Sequence, residues 1–308
     1  MGSPVSLVKS GYSLEEVRES VGQALRLVGF KPDHSVRSVV IKPNLCYYWN
    51  ATTGYTTDPM IVNVLIDWIR DYCGKDVDVK IGEADASAMR TKYVFKALGY
   101  EKLASEKKVT LVNLSEDVLI DRNVRVNGKD LTFKVPEVLL KSDLILNVPK
   151  LKIMRATKIT CAMKNIFGAM GHVRKITYHP DLNEAIVGMN MCVRTHLTVV
   201  DGLVGLGKFP KRLNLIMAGL DGFSVDWVAS RIMGYKPSNV KFLQIALKEK
   251  LGDTRGIVTC GQSVEEFAGV FPKEGFVATK YLWGLQFWVL KVYQKLTGDI
   301  VPPILEET

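Results

Sequence analysis

Apolar positions recur along this chain with two alternating periods. Ser13 and Glu16 form a capping box, and Val17, Val21, Leu25 and Val28 follow at helical spacing. The short apolar run from Ser38 to Ile41 then ends at Lys42-Pro43-Asn44, which reads as a buried strand entering a loop. Asp58 and Pro59 open a second helix as N-cap and first-turn proline, with Ile61, Val64, Leu65, Trp68 and Ile69 on its inner face. Strands are predicted at 77–81, 109–112, 144–148, 197–200, 215–218 and 257–260. Helices are predicted at 90–98 (closed by Gly99), 160–167, 183–191, 225–233 and 242–250. Strands separated by helices of this length predict a largely parallel sheet covered on both faces.

Two segments break the rhythm. Residues 124–134 alternate around Asn127-Gly128, a strong hairpin signal, and define a small β-hairpin insertion at about 115–137. After Gly275, Tyr281, Leu282, Trp283, Leu285, Phe287, Trp288, Leu290, Val292 and Leu296 predict a helix apolar over much of its surface, with Lys280, Lys291 and Lys295 beside it. Such a helix is expected to pack on its own domain or on a second copy, making a homodimer. The predicted organisation is therefore an α/β domain over 1–275 and a C-terminal helical appendage over 276–308.

Composition adds boundaries to this picture. Hydrophobic residues make up 47% and charged residues 24%, a globular balance that excludes disorder. No apolar run approaches the roughly 20 residues of a transmembrane helix. The first residues lack the apolar core of a signal peptide, so a cytoplasmic location is expected. The five cysteines are scattered with no C-x-x-C pair, which fits free thiols and offers no iron–sulfur or zinc spacing. Net charge is +9, which favours anionic partners.

Ligands of open parallel sheets bind beyond the carboxyl ends of the strands. Five predicted strand ends carry polar groups: Lys42 and Asn44, Glu83 and Asp85, Asn147 and Lys150, Asp201, and Asp221. Between Asp143 and Asp181 there is no acidic residue, while Lys150, Lys152, Arg155, Lys158, Lys164, Arg174 and Lys175 bring seven positive charges. These charges must face water, distant acids or an anionic ligand. Apolar neighbours place Lys164 and Asn165 on a partly buried helix, where a lysine is costly unless paired or functional. Gly168 and Gly171 would let backbone N–H groups approach an anion.

The motifs Ile41-Lys-Pro-Asn-Leu45, Thr56-Thr-Asp-Pro59, Gly82-Glu83, Ser142 to Lys152, Thr160 to Gly168, His179, Val200-Asp-Gly202 and Ala218 to Asp221, continuing through Asp226 to Gly234, run in one order. Over about residues 36–260 the chain resembles the prokaryotic domain of unknown function 362 family, often found next to iron–sulfur modules. Many relatives carry a cysteine-rich insert that this chain lacks, so no iron–sulfur cluster is expected in it. A more distant likeness is to the nickel-pincer lactate racemase family. There Lys164 and His179 match a cofactor-binding lysine and a metal-contacting histidine, while Met154 replaces a histidine and Ala162-Met163 replaces paired glycines.

The reading is an enzyme acting on a small carboxylate- or phosphate-bearing metabolite. Lys42, Lys152 and Lys164 hold the anion, Asn44 and Asn165 orient it, and Thr57, Lys150 and Gly168 line the same binding surface. His179 with Glu83 or Asp201 handles protons, and Lys164 counts with these three as a catalytic residue. A divalent metal would sit between Asp201 and Asp221. The rival readings are an accessory protein for metal-cofactor assembly and a nucleic-acid binder using residues 150–175. The second is disfavoured by the few aromatics interleaved with the basic residues.

Overall fold

The computed structural model describes residues 3–46, 48–86 and 89–273, together with positions 288, 292, 295 and 296. The appendage predicted at 276–308, and the dimer contact expected of it, thus lie outside the described residues apart from those four positions.

In chain order the elements are β1 (Ser3–Lys9), α1 (Leu14–Leu27), β2 (Ser38–Pro43), α2 (Pro59–Cys73), β3 (Asp78–Glu83), α3 (Thr91–Ala97), α4 (Tyr100–Lys107) and β4 (Thr110–Asn113). The hairpin β5 (Leu119–Val126) and β6 (Lys129–Pro136) follows, then α5 (Glu137–Lys141), β7 (Leu144–Val148), β8 (Lys150–Met154), β9 (Lys158–Thr160) and α6 (Ala162–Phe167). The chain continues through α7 (Leu182–Cys192), β10 (Leu197–Leu206), β11 (Pro210–Gly219), α8 (Gly222–Ile232), α9 (Lys241–Lys248), β12 (Ile257–Gly261) and α10 (Val264–Ala268).

Ten strands form one sheet, eight of them in the order β12-β1-β11-β10-β7-β2-β3-β4, with β8 and β9 attached beside β10. Neighbours from β10 to β4 are parallel. Only β11 runs against the main direction within that row, because the short Gly207–Phe209 turn that joins it to β10 makes a hairpin. Side-chain alternation divides the core between the two faces. Val39, Ile41, Leu146 and Val199 point to α1, α2 and Tyr100 of α4 on one face. Val40, Ile145 and Val200 point to the layer of α6, α7, α8 and α9 on the other. The mostly parallel sheet with helices on both faces is the predicted class.

Local signals account for several elements. Ser13 and Glu16 close the capping box on α1, and Asp58 caps α2 through the Met60 N–H at 3.0 Å. Asn127 and Gly128 both have positive φ (51° and 82°), as a tight hairpin turn requires. Other elements departed from expectation. β1 was not anticipated, yet it fills an inner position between β11 and β12. β8 and β9 fall in the basic run between the predicted 144–148 strand and 160–167 helix, where no element was predicted. The alternation Lys150-Leu-Lys-Ile-Met is strand-like, but it places lysines at inward positions, and Lys150 and Lys152 are both buried.

Gly168 and Gly171 do not present free N–H groups to a ligand, contrary to the sequence expectation. The Gly168 N–H donates to the Lys164 carbonyl at 3.3 Å and the Gly171 N–H to Lys134 at 2.9 Å. Gly171 is small for packing reasons: a Cβ there would lie 2.2 Å from Leu119 of the hairpin.

Candidate active site

β7 stops at Val148, and after Pro149 the strand resumes as β8 alongside the second half of β10, with Lys150 opposite Asp201. Lys150 and Lys152 are two residues apart and so share a face of the strand. Lys150 Nζ lies 2.8 Å from Asp201 Oδ2, with both side chains almost completely buried. Asp201 also accepts from the Asp58 N–H at 2.8 Å and the Leu203 N–H at 3.1 Å.

A second buried pair lies at the ends of β2 and β3. Lys42 Nζ is 2.6 Å from Glu83 Oε1. Glu83 additionally accepts the N–H groups of Leu45 (2.8 Å) and Ala84 (2.9 Å). Burial pushes the Lys42 ammonium below its ordinary range, and the Glu83 charge opposes that shift. The two carboxylates expected to handle protons are therefore each engaged by a lysine and two backbone donors. Their geometry is that of groups that lock the strand ends and the loops leaving them.

Between these pairs runs a chain of asparagines. Asn44 Nδ2 donates to Asn165 Oδ1 at 3.1 Å, Asn165 Nδ2 donates to Asn147 Oδ1 at 2.8 Å, and Asn147 Nδ2 donates to the Ala162 carbonyl at 2.9 Å. Thr57 accepts from the Asn44 N–H and donates to the Val148 carbonyl. The network ties α6 to the ends of β2 and β7.

The helix α6 is too short to be stable by itself. Its N-terminus is held from a distance by Asp226 of α8, whose carboxylate accepts the Ala162 and Met163 N–H groups at 2.7 and 2.9 Å. Burial pushes the Asp226 carboxyl up to about 7, against the lowering effect of those two donors. This contact sets the face on which Lys164 and Asn165 meet the strand ends.

Three further lysines complete the cluster. Lys152 Nζ donates to Asn44 Oδ1 at 2.6 Å and to the Tyr55 carbonyl at 2.9 Å, and lies 3.0 Å from Cys46 Sγ. Lys175 reaches the Asp85 carbonyl at 2.6 Å, and burial lowers its ammonium to about 7. Lys164 is half-buried, and loss of solvation lowers its ammonium to about 8, with the charge of Lys152 adding to the effect. Exposed His179 stands at the rim, its imidazolium disfavoured by partial desolvation and by Lys164.

Of the residues expected at the site, Lys42, Asn44, Thr57, Glu83, Lys150, Lys152, Lys164, Asn165 and Asp201 thus converge on the carboxyl edge, with His179 beside Lys164. Asp221 does not. Because β11 is antiparallel, Thr198 pairs with Gly219 while Asp201 pairs with Ile216, so Asp221 lies beyond the opposite edge. Three strand residues alone separate the two levels by about 10 Å. Asp221 caps α8 through the Ser224 N–H at 2.7 Å and borders a cavity of about 770 Å³ with Phe30, Arg194 and His196. An Asp201–Asp221 metal site is therefore excluded by the register. No cluster of three His, Cys, Asp or Glu suited to a metal occurs among the described residues.

Lys175, Cys46, Tyr55 and Asp226 were not assigned to the site from sequence. Lys175 had a signal, since it lies in the same acid-free run. Asp226 had only its place in a family-like stretch, because its partners are 63 and 64 residues away.

The Lys175 shift gives a pH prediction. Its folded value of about 7 lies below the ordinary 10.5, so between them the native state binds fewer protons than the unfolded chain. Its contribution makes stability rise with pH across roughly 7 to 10. Lys175→Met should flatten that rise in denaturant unfolding measured at pH 7, 8, 9 and 10.

Fold and site together define a doubly covered, mostly parallel α/β protein with a lysine-rich polar centre at its carboxyl edge. The chain belongs to the family described as domain of unknown function (DUF362), whose model matches residues 39–231. The thylakoid-associated protein sll1697 of Synechocystis sp. is 26% identical over 126 residues, which span 37% of this chain and 39% of that protein. The lactate racemase apoprotein from Thermoanaerobacterium thermosaccharolyticum superposes with a TM-score of 0.43 and 14% identity, over 73% of this chain and 56% of that one. The chain thus spans well under two thirds of either relative. No helix among the described residues is long and apolar enough to cross a membrane.

Proposed function

We propose that this protein is an enzyme that binds a small carboxylate- or phosphate-bearing metabolite at the carboxyl edge of its sheet. The observation carrying this reading is the convergence of Lys152, Lys164 and Lys175, none of which forms an ion pair with a carboxylate among the described residues. Lys42 and Lys150 already have buried carboxylate partners, so the uncompensated charge belongs to the other three. Bringing ammonium groups together with loss of solvation is unfavourable, and an anion bound between them would offset that cost. Asn44 and Asn165 are placed to orient the ligand. Lys164 and His179, both shifted toward their neutral forms, are the groups suited to exchange protons near neutral pH.

The nucleic-acid reading draws less support. Lys150, Lys152 and Lys175 are buried and Lys164 is half-buried, so much of the basic run does not form an outward charged face.

Thermal unfolding with inorganic phosphate, phosphorylated metabolites and mono- and dicarboxylates tests the proposal. At least one compact anion should raise the melting temperature in a concentration-dependent way. Lys164→Met should remove most of that rise while retaining the parent circular dichroism spectrum. Tight binding of duplex DNA with no response to any small anion would overturn the reading.

A further inference from the structure

Lys152 is almost fully buried, and each of its three N–H donors has an acceptor. Two of these are neutral oxygens, Asn44 Oδ1 at 2.6 Å and the Tyr55 carbonyl at 2.9 Å. The third is Cys46 Sγ at 3.0 Å. Cys46 follows β2, is partly exposed, and has its Sγ 3.5 Å from the Tyr55 carbonyl. It also lies within electrostatic reach of Lys42 and Lys164. A partly exposed sulfur that accepts from a buried ammonium, with further lysines nearby, is in the setting that makes a thiol nucleophilic.

The other thiols are placed differently. Cys73, Cys192 and Cys260 are also partly exposed, so access does not separate them from Cys46. Burial raises all three thiols, that of Cys192 to about 11. The sulfurs of Cys73 and Cys260 face the carbonyl oxygens of Asp33 and Leu27, each at 3.8 Å. Cys161 is fully buried, and both that burial and the Asp226 charge raise its thiol.

We infer that Cys46 is a redox modification site, where a hydroperoxide converts the thiol to a sulfenic acid that Lys152 holds, weakening anion binding. The last part rests on the proposed anion site and names a control over it. In the step, Sγ attacks the terminal peroxide oxygen, so an S–O bond forms as the O–O bond breaks. Sulfur is oxidised by two electrons, and the hydroperoxide is reduced to an alcohol or water. The departing oxygen takes the proton that the thiol gave up. The oxygen added to sulfur accepts more strongly than sulfur does, so it captures the Lys152 N–H that now points at Sγ. An incoming anion then finds that donor occupied.

Trapping of the sulfenic acid tests the assignment on the full chain. Reduced protein is treated with hydrogen peroxide in the presence of dimedone and mapped by peptide mass spectrometry. The adduct should accumulate on Cys46 at least tenfold faster than on Cys73, Cys192 or Cys260. Lys152→Met should slow Cys46 labelling at least tenfold and leave the other three rates unchanged, which also checks its fold. Without dimedone, peroxide should at least halve the melting-temperature rise given by inorganic phosphate or succinate, and dithiothreitol should restore it. In Cys46→Ser, peroxide should no longer alter that rise. Similar labelling of the four partly exposed thiols, or labelling led by another cysteine, overturns the modification site. An unchanged Cys46 rate in Lys152→Met overturns the part given to Lys152. Fast Cys46 labelling with an undiminished anion response overturns the control and leaves the anion site standing. No anion response in the reduced protein removes the anion site and its control together, while fast labelling of Cys46 would still support its oxidation.

Discussion

Lys150→Met should destabilise the protein by about 3–5 kcal/mol, the usual cost of breaking a buried ion pair by deleting one partner. Asp201 is fully buried, and without Lys150 the donors left to its carboxylate among the described residues would be the Asp58 and Leu203 N–H groups. The loss is thus mainly the penalty of an uncompensated carboxylate. Lys150→Met combined with Asp201→Asn should recover part of it, because the amide oxygen still accepts a hydrogen bond and carries no charge. Urea unfolding of the two single variants and the double variant measures the coupling. Equal stability of Lys150→Met and the parent would mean that this pair does not lock β8 against β10.

Asp226→Ala should have a comparable effect and reach the site as well. It would strip the acceptors from two backbone N–H groups at the start of α6. A buried unsatisfied donor costs about 1–3 kcal/mol, which puts the expected loss at about 2–6 kcal/mol. Because α6 carries Lys164 and Asn165, the variant should also lose the anion-induced rise in melting temperature under conditions where it remains folded.

Asp226 also contributes to the pH dependence. Its folded value of about 7 exceeds the ordinary 3.8, so the native state retains a proton that the unfolded chain releases between those values. Stability from this group therefore falls as pH rises from about 4 to about 7, opposite in sign to the Lys175 effect at higher pH. Asp226→Asn should remove that fall. If the slope between pH 4 and 7 is unchanged in Asp226→Asn, another group controls it.

Much of the scaffold was legible because its signals are local. The α1 capping box, the Asp58-Pro59 start of α2 and the Asn127-Gly128 turn each involve residues a few positions apart. Several site lysines could also be read, since an acid-free basic run cannot neutralise itself. β1 could not be read in the same way, because its inner position depends on β11 and β12, more than 200 residues later in the chain. β8 was obscured by its two lysines: strand alternation does not reveal whether a lysine will meet a buried acceptor.

The sequence by itself determined the alternation of strands and helices, the hairpin insertion and the concentration of positive charge between Asp143 and Asp181. Tertiary structure decided which of those charges were neutralised. Lys42 and Lys150 received carboxylate partners from other strands, Lys152 and Lys175 received neutral acceptors, and Lys164 received none among the described residues. It also sent Asp221 to the opposite edge, because one hairpin turn reversed β11. The physical reason is that period and capping act over a few residues, whereas desolvation and charge pairing depend on which distant segments pack together.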